Sequence, residues 1–249
     1  AGAFTISLAT CPTRSRTHGR SRSVTNRCPT RMGYLPSKSF VALSVNSTRE
    51  WVVERWSAGV QALHHRPIAV DGRRRISILE FDEPALVLGS RGRDPQIGET
   101  TTRRQSGGGI VWLDPCESTW IDITLPRNDP LWLDDLSRSF HWIGESIASA
   151  FVELGLNAGI HKANLVGTGN WCFDGIGPGE VTLSGRKLVG IAQRRTRRSA
   201  RFQCVWYRRF QRPQGLADVN SKGIGWADAG LDCSMIEVRN LVVSKLLAT

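Results

Sequence analysis

The stretch Arg103-Arg-Gln-Ser-Gly-Gly-Gly109, followed directly by the apolar run Ile110-Val-Trp-Leu113, decides the fold. Consecutive glycines free the backbone to adopt positive φ and to approach a ligand closely, and their amide N–H groups can bind an anion. Arg103 and Arg104 place fixed positive charge beside them. The spacing is not that of a Walker loop. At this point the stretch is either an anion-binding loop or a flexible turn.

Short β-rich runs lie on both sides of this loop. Ile76–Phe81 and Ala85–Gly89 are separated by the turn signal Asp82-Glu-Pro84, which predicts that the two runs pair as neighbouring strands. The remaining runs that predict strands are Ile110–Leu113, Trp120–Leu125, Glu180–Leu183, Lys187–Ala192 and Phe202–Tyr207.

Apolar residues at helical spacing predict amphipathic helices at Arg49–His65, Leu133–Leu154 and Ile236–Leu247. Pro67 and Gly155 are stop signals for the first two. Paired strands with helices between them predict an α+β domain, in which helices cover one side of a mixed or antiparallel sheet. The sequence contains no apolar run long enough for a transmembrane helix, and we expect no membrane partner.

The positive charge is concentrated at the start of the chain. Residues 1–49 contain eight of the 33 basic residues and no acidic one, so 25 basic residues face 22 acidic ones in the remainder. A stretch rich in Ser, Thr and Arg is typical of a targeting peptide or a disordered extension. We assign residues 1–48 to such an extension and residues 49–249 to a catalytic domain. A genuine transit peptide implies a mitochondrial or plastid protein; translated upstream sequence before Met32 implies a cytoplasmic one.

The cysteines are scattered and form no C-x-x-C pair, so the sequence predicts neither a zinc site nor a disulfide framework, and a reducing compartment fits best. The basic run Arg194–Arg198, followed by Arg201, is either a solvated hairpin tip or a surface that steers an acidic carrier domain. Nucleic acid is disfavoured as a partner because no recognised motif and no interleaved aromatic residues accompany the charge.

A second chemical feature is the stretch Ser184-Gly-Arg-Lys-Leu-Val-Gly-Ile-Ala-Gln193, in which Lys187 follows a turn glycine. A lysine at the start of a strand can place its ammonium beside an acyl carboxylate and a phosphate, and so stabilise charge as an acyl group is transferred. The alternative is an exposed strand lysine without a catalytic role.

RRQSGGG and GRKLVGIAQ, about 80 residues apart, together resemble the RRxSGGGxV and GxKxxGxAx signatures of lipoate–protein ligases and the related octanoyltransferases. The resemblance extends over roughly residues 76–210. It implies the fold of the biotin/lipoate protein ligase catalytic domain, similar to class II aminoacyl-tRNA synthetases. The GRGRxGR motif of the biotin enzymes is absent, which disfavours the biotin branch.

The resemblance also implies roles for individual residues. Lys187 would contact both the acyl carboxylate and the nucleotide phosphate, and Arg103 and Arg104 would assist with charge on the ligand. The acyl-adenylate pocket would be lined by Ser106, Gly107, Gly108, Gly109, Gly190 and Ala192.

The first hypothesis is therefore an ATP-dependent ligase. ATP, carrying Mg²⁺, activates lipoate or octanoate to the acyl-adenylate, which a lysine of a carrier protein then attacks. The family implies two kinds of carrier: lipoyl domains of 2-oxoacid dehydrogenase complexes and the H protein of glycine cleavage.

The sequence departs from the ligase pattern after Trp112, where Leu113 replaces a histidine and an asparagine-rich segment is missing. Asp114 is retained and is the candidate metal ligand. The large C-terminal accessory domain of many ligases is also not expected in residues 49–249.

Cys172 supports a second hypothesis, because one octanoyltransferase branch has a cysteine shortly before the Gly-Arg-Lys segment. Such a cysteine accepts the acyl group from acyl-carrier protein as a thioester, and the charges of Lys187 and Arg186 would favour its thiolate. The alternative is a half-buried structural cysteine. A third hypothesis is a non-catalytic homologue that binds an acyl ligand without turning it over.

Overall fold

Two β-sheets form the centre of the computed structural model, which describes residues 38–42, 51–69, 71–167, 170–213 and 221–249. The strands are β1 Lys38–Ala42, β2 Trp51–Ser57, β3 Arg74–Glu80, β4 Ala85–Leu88, β5 Thr101–Arg103, β6 Val111–Leu113, β7 Ser118–Pro126, β8 Ala158–Ile160, β9 Val181–Leu183, β10 Arg186–Arg195 and β11 Ser199–Tyr207.

The larger sheet has eight strands in the order β1-β2-β3-β7-β11-β10-β9-β8. Only the β2–β3 pair in it is parallel, so the described sheet is mixed but largely antiparallel. The smaller sheet has the order β5-β4-β6, in which β4 pairs parallel with β5 and antiparallel with β6.

The helices are α1 Val60–His65, α2 His141–Glu153 and α3 Met235–Leu247. Helices α2 and α3 pack on one face of the large sheet, where residues such as Ile121, Ile147 and Val242 form the main core. The small sheet and α1 pack on the opposite face through Leu63, Val87 and neighbours. A cleft for the functional groups therefore lies between the two sheets, away from α2 and α3.

The fold class predicted from the sequence is confirmed, including the mixed sheet and its helix-covered face. The five strands predicted at and after Ile110 are all present within a few residues of their expected bounds. Helix α3 is confirmed as well, and it begins with a capping box in which Ser234 and Glu237 satisfy each other's backbone amides.

The helix predicted at Arg49–His65 is wrong over most of its length. Trp51–Ser57 is strand β2, and only Val60–His65 is helical, while residues 49–50 lie outside the described residues. The polar position Glu54 misled the pattern, because its carboxylate is buried and accepts hydrogen bonds from Arg75 and Ser77 of the adjacent strand. The buried charge of this ion pair interrupts the apolar residues of the strand. The resulting spacing of charged and apolar residues resembles that of a helix.

Two further predictions need correction. The strands at Ile76–Phe81 and Ala85–Gly89 exist, but they belong to different sheets and do not pair, since the turn carries the chain from one layer to the other. Helix α2 begins at His141 rather than Leu133. Arg138–Phe140 form a short 3-10 helix that leads into α2. The residues before it lie in a turn, in which the Asp135 carboxylate accepts from Ser137 and Arg195 donates to the Asp134 carbonyl.

Part of the predicted N-terminal extension belongs to the sheet. Residues 38–42 form the edge strand β1, paired antiparallel with β2, and the other residues of the extension lie outside the described ranges. Among the described residues, no helix combines the length and apolar character needed to cross a lipid bilayer.

Candidate active site

An open cleft lies where three segments meet: the glycine loop after β5, the segment around Cys172, and the first half of β10. Its lining includes Gly107–Gly109, Cys172, Glu180 and Lys187, together with Ala192. The sequence predicted most of these residues as one site, and the fold brings them together across about 80 residues of chain.

The glycine loop is shaped by its own arginine. Arg104 donates to the carbonyls of Gly107 (2.9 Å) and Gly109 (2.8 Å), which folds the loop around the guanidinium. Gly108 has a φ of +99°, which favours glycine. Within the described part of the chain, no hydrogen bond occupies the amides of Gly107, Gly108 and Gly109. Because the three glycines line the cleft, these N–H groups can donate hydrogen bonds to an anion there.

Gly109 serves a purpose that the sequence did not suggest. A Cβ atom there would lie 2.6 Å from the Cys172 amide nitrogen and 2.8 Å from the Asn170 carbonyl oxygen. The absence of a side chain lets the Cys172 segment pair with the residue after the loop, through hydrogen bonds between Ile110 and both Asn170 and Cys172. The third glycine thus fixes the position of the cysteine.

Lys187 is fully buried in this site, with 2 % of its surface exposed. Its ammonium lies 2.6 Å from the Glu180 carboxylate and donates to the carbonyls of Cys172 (2.7 Å) and Gly175 (3.2 Å). Its Nζ is also 3.4 Å from Cys172 Sγ. The exposed-lysine interpretation is therefore wrong for this residue.

Two local features turn Lys187 inward. The tight turn at Ser184-Gly185, with φ of +50° and +75°, starts β10 directly before the lysine, and the β9–β10 register shifts between Lys187 and Val189. Such a bulge re-aims a side chain. Burial alone lowers the pKa of Lys187, but the opposing charges of Cys172 and Glu180 outweigh it, so the pKa is raised and the ammonium stays protonated.

Cys172 is a free, half-buried thiol at the floor of the cleft. Its Sγ would be 3.4 Å from a Cβ on Gly190, so that glycine leaves space beside the sulfur. Cys204 is also free, but it lies in the core beneath α2 and α3, where burial raises its pKa well above the ordinary thiol value. Arg186 is exposed and donates to the Gly223 carbonyl, so it does not support the Cys172 thiolate as expected.

The two arginines of the motif differ in role. Arg104 is buried, and within the described residues its guanidinium has no carboxylate partner; burial lowers its pKa, and the charge of Cys172 opposes this. Arg103 is exposed and donates to the carbonyls of Gly89 (2.9 Å) and Gly92 (2.7 Å). It braces a neighbouring loop and does not line the cleft, in contrast to the prediction of a charge beside the ligand.

A narrow, largely apolar pocket continues from the cleft between the two sheets. Cys172, Arg104 and Ala192 line both spaces, so the sulfur stands where they join. Val87, Val111, Leu113 and Trp120 form apolar walls, and His64 and Gln203 are polar groups in the lining. Ser106 does not face the cleft, because its hydroxyl donates to Gln203 at 2.6 Å.

Buried charges flank this pocket. Asp122 accepts from Arg201 (2.6 Å) and lies 2.8 Å from the Arg66 guanidinium. Burial alone would raise the pKa of Asp122, but the charges of the two arginines outweigh this effect. The pKa of Asp122 is therefore lowered. Arg201 is thus an interior ion-pair partner and not part of a steering surface, whereas Thr196–Arg198 form the tip between β10 and β11.

Asp114 lies in the turn between β6 and β7, where its carboxylate accepts from the Cys116 amide at 2.7 Å. It lines none of the spaces described above. Within the described ranges, no three His, Cys, Asp or Glu side chains are placed to hold a metal ion. The prediction of Asp114 as a metal ligand is unsupported by its position, because the carboxylate caps its own turn.

Two other cysteines differ from the prediction that the sequence contains no disulfide framework. Cys116 and Cys233 are disulfide-bonded. The expectation of no disulfide is therefore wrong for these residues, because scattered cysteines give no spacing signal for a disulfide.

Sequence reasoning missed Glu180, His64 and Gln203. Glu180 had a signal, since it precedes a β-run and a buried lysine needs an anionic partner. His64 and Gln203 had none, because their contact joins α1 to β11 across the fold, with 3.2 Å between His64 Nδ1 and Gln203 Nε2.

The fold and the cleft define a class of α+β domains in which a glycine-rich loop and a strand lysine face each other. The sequence profile described as the lipoyl protein ligase A/B catalytic domain matches residues 61–212, more than half of the chain. The chain therefore belongs to this family. A comparison with curated protein sequences gives no match.

Solved structures share the fold. A lipoate-protein ligase A bound with ATP superposes with a TM-score of 0.61 at 15% identity, covering 79% of this chain and 83% of that one. A lipoate protein ligase, Ta0514 from T. acidophilum, with bound lipoic acid gives a TM-score of 0.60 at 17% identity, covering 78% and 83%. A bipartite ligase studied with its E2 lipoyl domain from Thermoplasma acidophilum gives 0.55 at 16%, covering 74% of each chain.

Proposed function

We propose that this protein transfers a medium-chain acyl group, lipoyl or octanoyl, to a lysine of a carrier domain through a thioester on Cys172. The observation that carries the proposal is the position of Cys172 Sγ, where the apolar pocket meets the open cleft, 3.4 Å from the Lys187 ammonium. This arrangement favours the hypothesis of a transferase with a Cys172 thioester over the hypothesis of an ATP-dependent ligase. The acyl chain would enter the apolar pocket and its carbonyl would lie at the sulfur.

The chemistry needs two displacements at the acyl carbon. Cys172 gives up its proton, and its thiolate attacks the carbonyl of a donor thioester. The bond from carbon to Cys172 forms, the bond to the donor sulfur breaks, and the donor leaves as a thiolate that takes up the proton released by Cys172. The carrier lysine then attacks as a free amine. Its C–N bond forms, the bond to Cys172 breaks, and the amine proton returns to the thiolate. No nucleotide is consumed.

Two cations serve both displacements. The Lys187 ammonium and the Arg104 guanidinium lie on the side of the cleft where the thiolate and the oxyanion carry negative charge. Glu180 keeps Lys187 in place, with its second oxygen accepting from the Gly177 amide at 2.7 Å. Lys187 already donates to Glu180 and to two carbonyls, so it would exchange a carbonyl for the oxyanion in the transition state.

The acceptor we propose is a lipoyl domain of a 2-oxoacid dehydrogenase complex or the H protein of glycine cleavage, and the donor is an acyl-carrier protein. The family match supports an acceptor of this kind. So does the pairing of a structurally similar ligase with an E2 lipoyl domain in one solved system.

The test is to incubate the full chain with octanoyl-acyl-carrier protein, without ATP, and to measure intact mass. We expect one octanoyl adduct on the wild type and on Cys204→Ala, the matched control for the other free thiol. Cys172→Ala should carry none and should lose transfer to a lipoyl domain. Unchanged transfer by Cys172→Ala would overturn the proposal.

An ATP-dependent ligase is the second candidate, and a separate observation favours it. Arg91 and Arg93 line a basic space together with Gly107–Gly109, where amides and guanidinium groups would suit a triphosphate. The described residues offer no cluster of carboxylates for Mg²⁺, so the ion would have to arrive on the nucleotide.

Assays with lipoate and a lipoyl domain distinguish the candidates. ATP-dependent modification that persists in Cys172→Ala, with release of pyrophosphate, would establish the ligase instead. Binding of lipoate without any turnover, in either assay, would establish the non-catalytic homologue.

A further inference from the structure

We propose that His64 determines acyl-chain specificity by offering an N–H donor at the far end of the apolar pocket. It would favour a chain that carries a hydrogen-bond acceptor there, such as the sulfur of a dithiolane, over an all-carbon chain. This inference rests on the proposed function and names the substrate class of the same site.

A chain of hydrogen bonds fixes the tautomer. The Ser106 hydroxyl donates to Gln203 Oε1 at 2.6 Å, which leaves the amide nitrogen of Gln203 facing His64 Nδ1 at 3.2 Å. An amide nitrogen only donates, so Nδ1 must accept and the proton of the neutral ring sits on Nε2. Burial keeps the ring neutral, because it lowers the pKa of His64 to about 3.

The Nε2–H group is left without a hydrogen-bond partner among the described residues, although the side chain is buried, with 4 % of the residue exposed. Its ring stacks on Trp120, with centroids 4.3 Å apart, and both rings line the pocket. A buried, unpaired donor costs roughly 1–3 kcal/mol, so such a group in a native protein calls for a ligand or an ordered water.

The strand register gives the span between Cys172 and the two residues that contact His64. Gly190, beside Cys172 Sγ, pairs with Val205, and Gln203 is the next residue along β11 on the same face. Trp120 pairs with Val205 from the other side. Gln203 lies one strand across and two residues along, and Trp120 lies two strands across, so these two contacts of His64 are roughly 8–10 Å from Gly190 beside the sulfur. This is about the length of an extended octanoyl chain.

The chemistry of the far end then decides the preference. An all-carbon chain that fills the pocket excludes water from Nε2–H and leaves it unpaired. A dithiolane sulfur, which belongs to a cyclic disulfide, is a weak acceptor that can satisfy the donor while remaining apolar enough for the valine and leucine walls. The pocket should therefore discriminate between two chains of similar length by one hydrogen bond.

The test measures the dissociation constants of lipoate and octanoate for the wild type, His64→Phe and Val87→Ala. Phenylalanine keeps an aromatic ring on Trp120 but removes the donor; Val87→Ala enlarges the pocket without touching it. We expect the wild type to bind lipoate about five- to tenfold more tightly than octanoate, the size expected of one neutral hydrogen bond. His64→Phe should bring this ratio close to one, and Val87→Ala should weaken both acids while keeping the ratio.

Binding of both acids with the same ratio in wild type and His64→Phe would overturn the inference and leave the proposed function standing. Failure of either acid to bind, together with no acyl adduct on Cys172, would overturn both the inference about His64 and the proposed function. Should His64→Phe not fold, nitrogen NMR of the wild type replaces it: the His64 Nε2–H signal should shift with lipoate and not with octanoate. Equal shifts with both acids would contradict the inference.

Discussion

At Lys187, protein groups replace the water that normally surrounds an ammonium. A buried cation is tolerated only when a countercharge and hydrogen bonds compensate its desolvation, and Glu180, two carbonyls and the Cys172 sulfur do so here. The positive charge is thereby fixed beside the sulfur before any substrate arrives. Fixed charge of this kind stabilises a transition state without reorganisation.

Replacing Lys187 by alanine should lower the rate of acyl transfer by two or more orders of magnitude, because the thiolate and the oxyanion lose their nearest cation. The measurement is the initial rate with saturating donor and carrier. Arg186→Ala is the matched control, since that side chain is exposed and adjacent in sequence. We expect the control to retain activity within a few-fold.

Removing the lysine alone leaves Glu180 buried and unpaired, which costs about 3–5 kcal/mol of stability. A second variant, Lys187→Met with Glu180→Gln, removes both charges, and we expect it to stay folded because no buried charge is left unpaired. A loss under tenfold in that double variant would show that the charge of Lys187 is not used in transfer.

Individual site residues could be predicted from the sequence where they belong to a motif with charged or reactive side chains. Lys187, Cys172 and the glycines were predicted as site candidates because they lie in short segments of distinctive composition, and the fold groups them in one cleft. Arg103 shows the limit of this reasoning: two adjacent arginines look equivalent in sequence, but β5 ends between them and directs one outward. Only the backbone direction distinguishes the side chain that enters the site.

Among the elements, the glycine loop and the Cys172 segment act as one unit. Gly109 allows the two backbones to pair, and Gly89 allows the loop to approach from the other side, since a Cβ there would lie 1.9 Å from the Gly108 carbonyl oxygen. The glycine triplet therefore allows neighbouring segments to pack closely, in addition to offering amides that can bind an anion.

Gly109→Ala should abolish transfer and lower stability, because its Cβ would push the Cys172 segment off Ile110. Gly107→Ala is the matched control in the same triplet, since a Cβ there meets nothing within 4 Å and its φ is not positive. Transfer rate and melting temperature of the two variants provide the comparison. Equal losses in both would show that the close contact of Gly109 with the Cys172 segment is not what transfer requires.

Strands β7 and β11 could be predicted from short runs rich in β-branched and aromatic residues, although both of their faces are buried, and α3 could be predicted because its buried residues recur at helical spacing. The prediction was wrong at β2, where a carboxylate occupies a buried position, and at the start of α2, where contacts of Asp135 and Arg195 accompany a turn before the helical residues begin. In these cases a tertiary contact overrides the local pattern. Nor can a single sequence assign two consecutive strands to different sheets, as happens for β3 and β4.

In the molecule as a whole, the two faces of the large sheet have different chemistry. One face carries the apolar core beneath α2 and α3, and the other carries Asp122, its two arginines, His64 and the site. The amino-acid composition does not reveal this polar layer, because composition does not distinguish buried charged residues from those on the surface. The overall α+β class was still predictable, since it depends on the order of the elements and not on which face is polar.

This polar layer predicts a pH dependence of stability. The pKa of His64 is about 3 in the folded protein against 6.5 in the unfolded chain, so only the unfolded state takes up this proton as the pH falls below 6.5. Stability should therefore fall with pH, by about 2 kcal/mol between pH 7 and pH 5 from this residue. The lowered pKa of Asp122 acts at lower pH, because its contribution is lost only below the unfolded value of 3.8.

The measurement is the free energy of unfolding by urea at pH 7 and at pH 5, for the wild type and for His64→Phe. We expect the variant to lose about 2 kcal/mol less than the wild type over this interval, whatever its absolute stability. The same pH dependence in both proteins would show that His64 titrates normally and is not held neutral by burial.

The central claim, that the acyl group passes through Cys172 to a carrier lysine, is tested most directly by a single-turnover chase. The protein is loaded with labelled octanoyl from acyl-carrier protein, freed of donor, and mixed with an unmodified lipoyl domain in the absence of ATP. We predict that the label leaves Cys172 and appears on the carrier lysine at least as fast as steady-state turnover. A label that stays on the protein, or that moves only when ATP is added, would contradict the account.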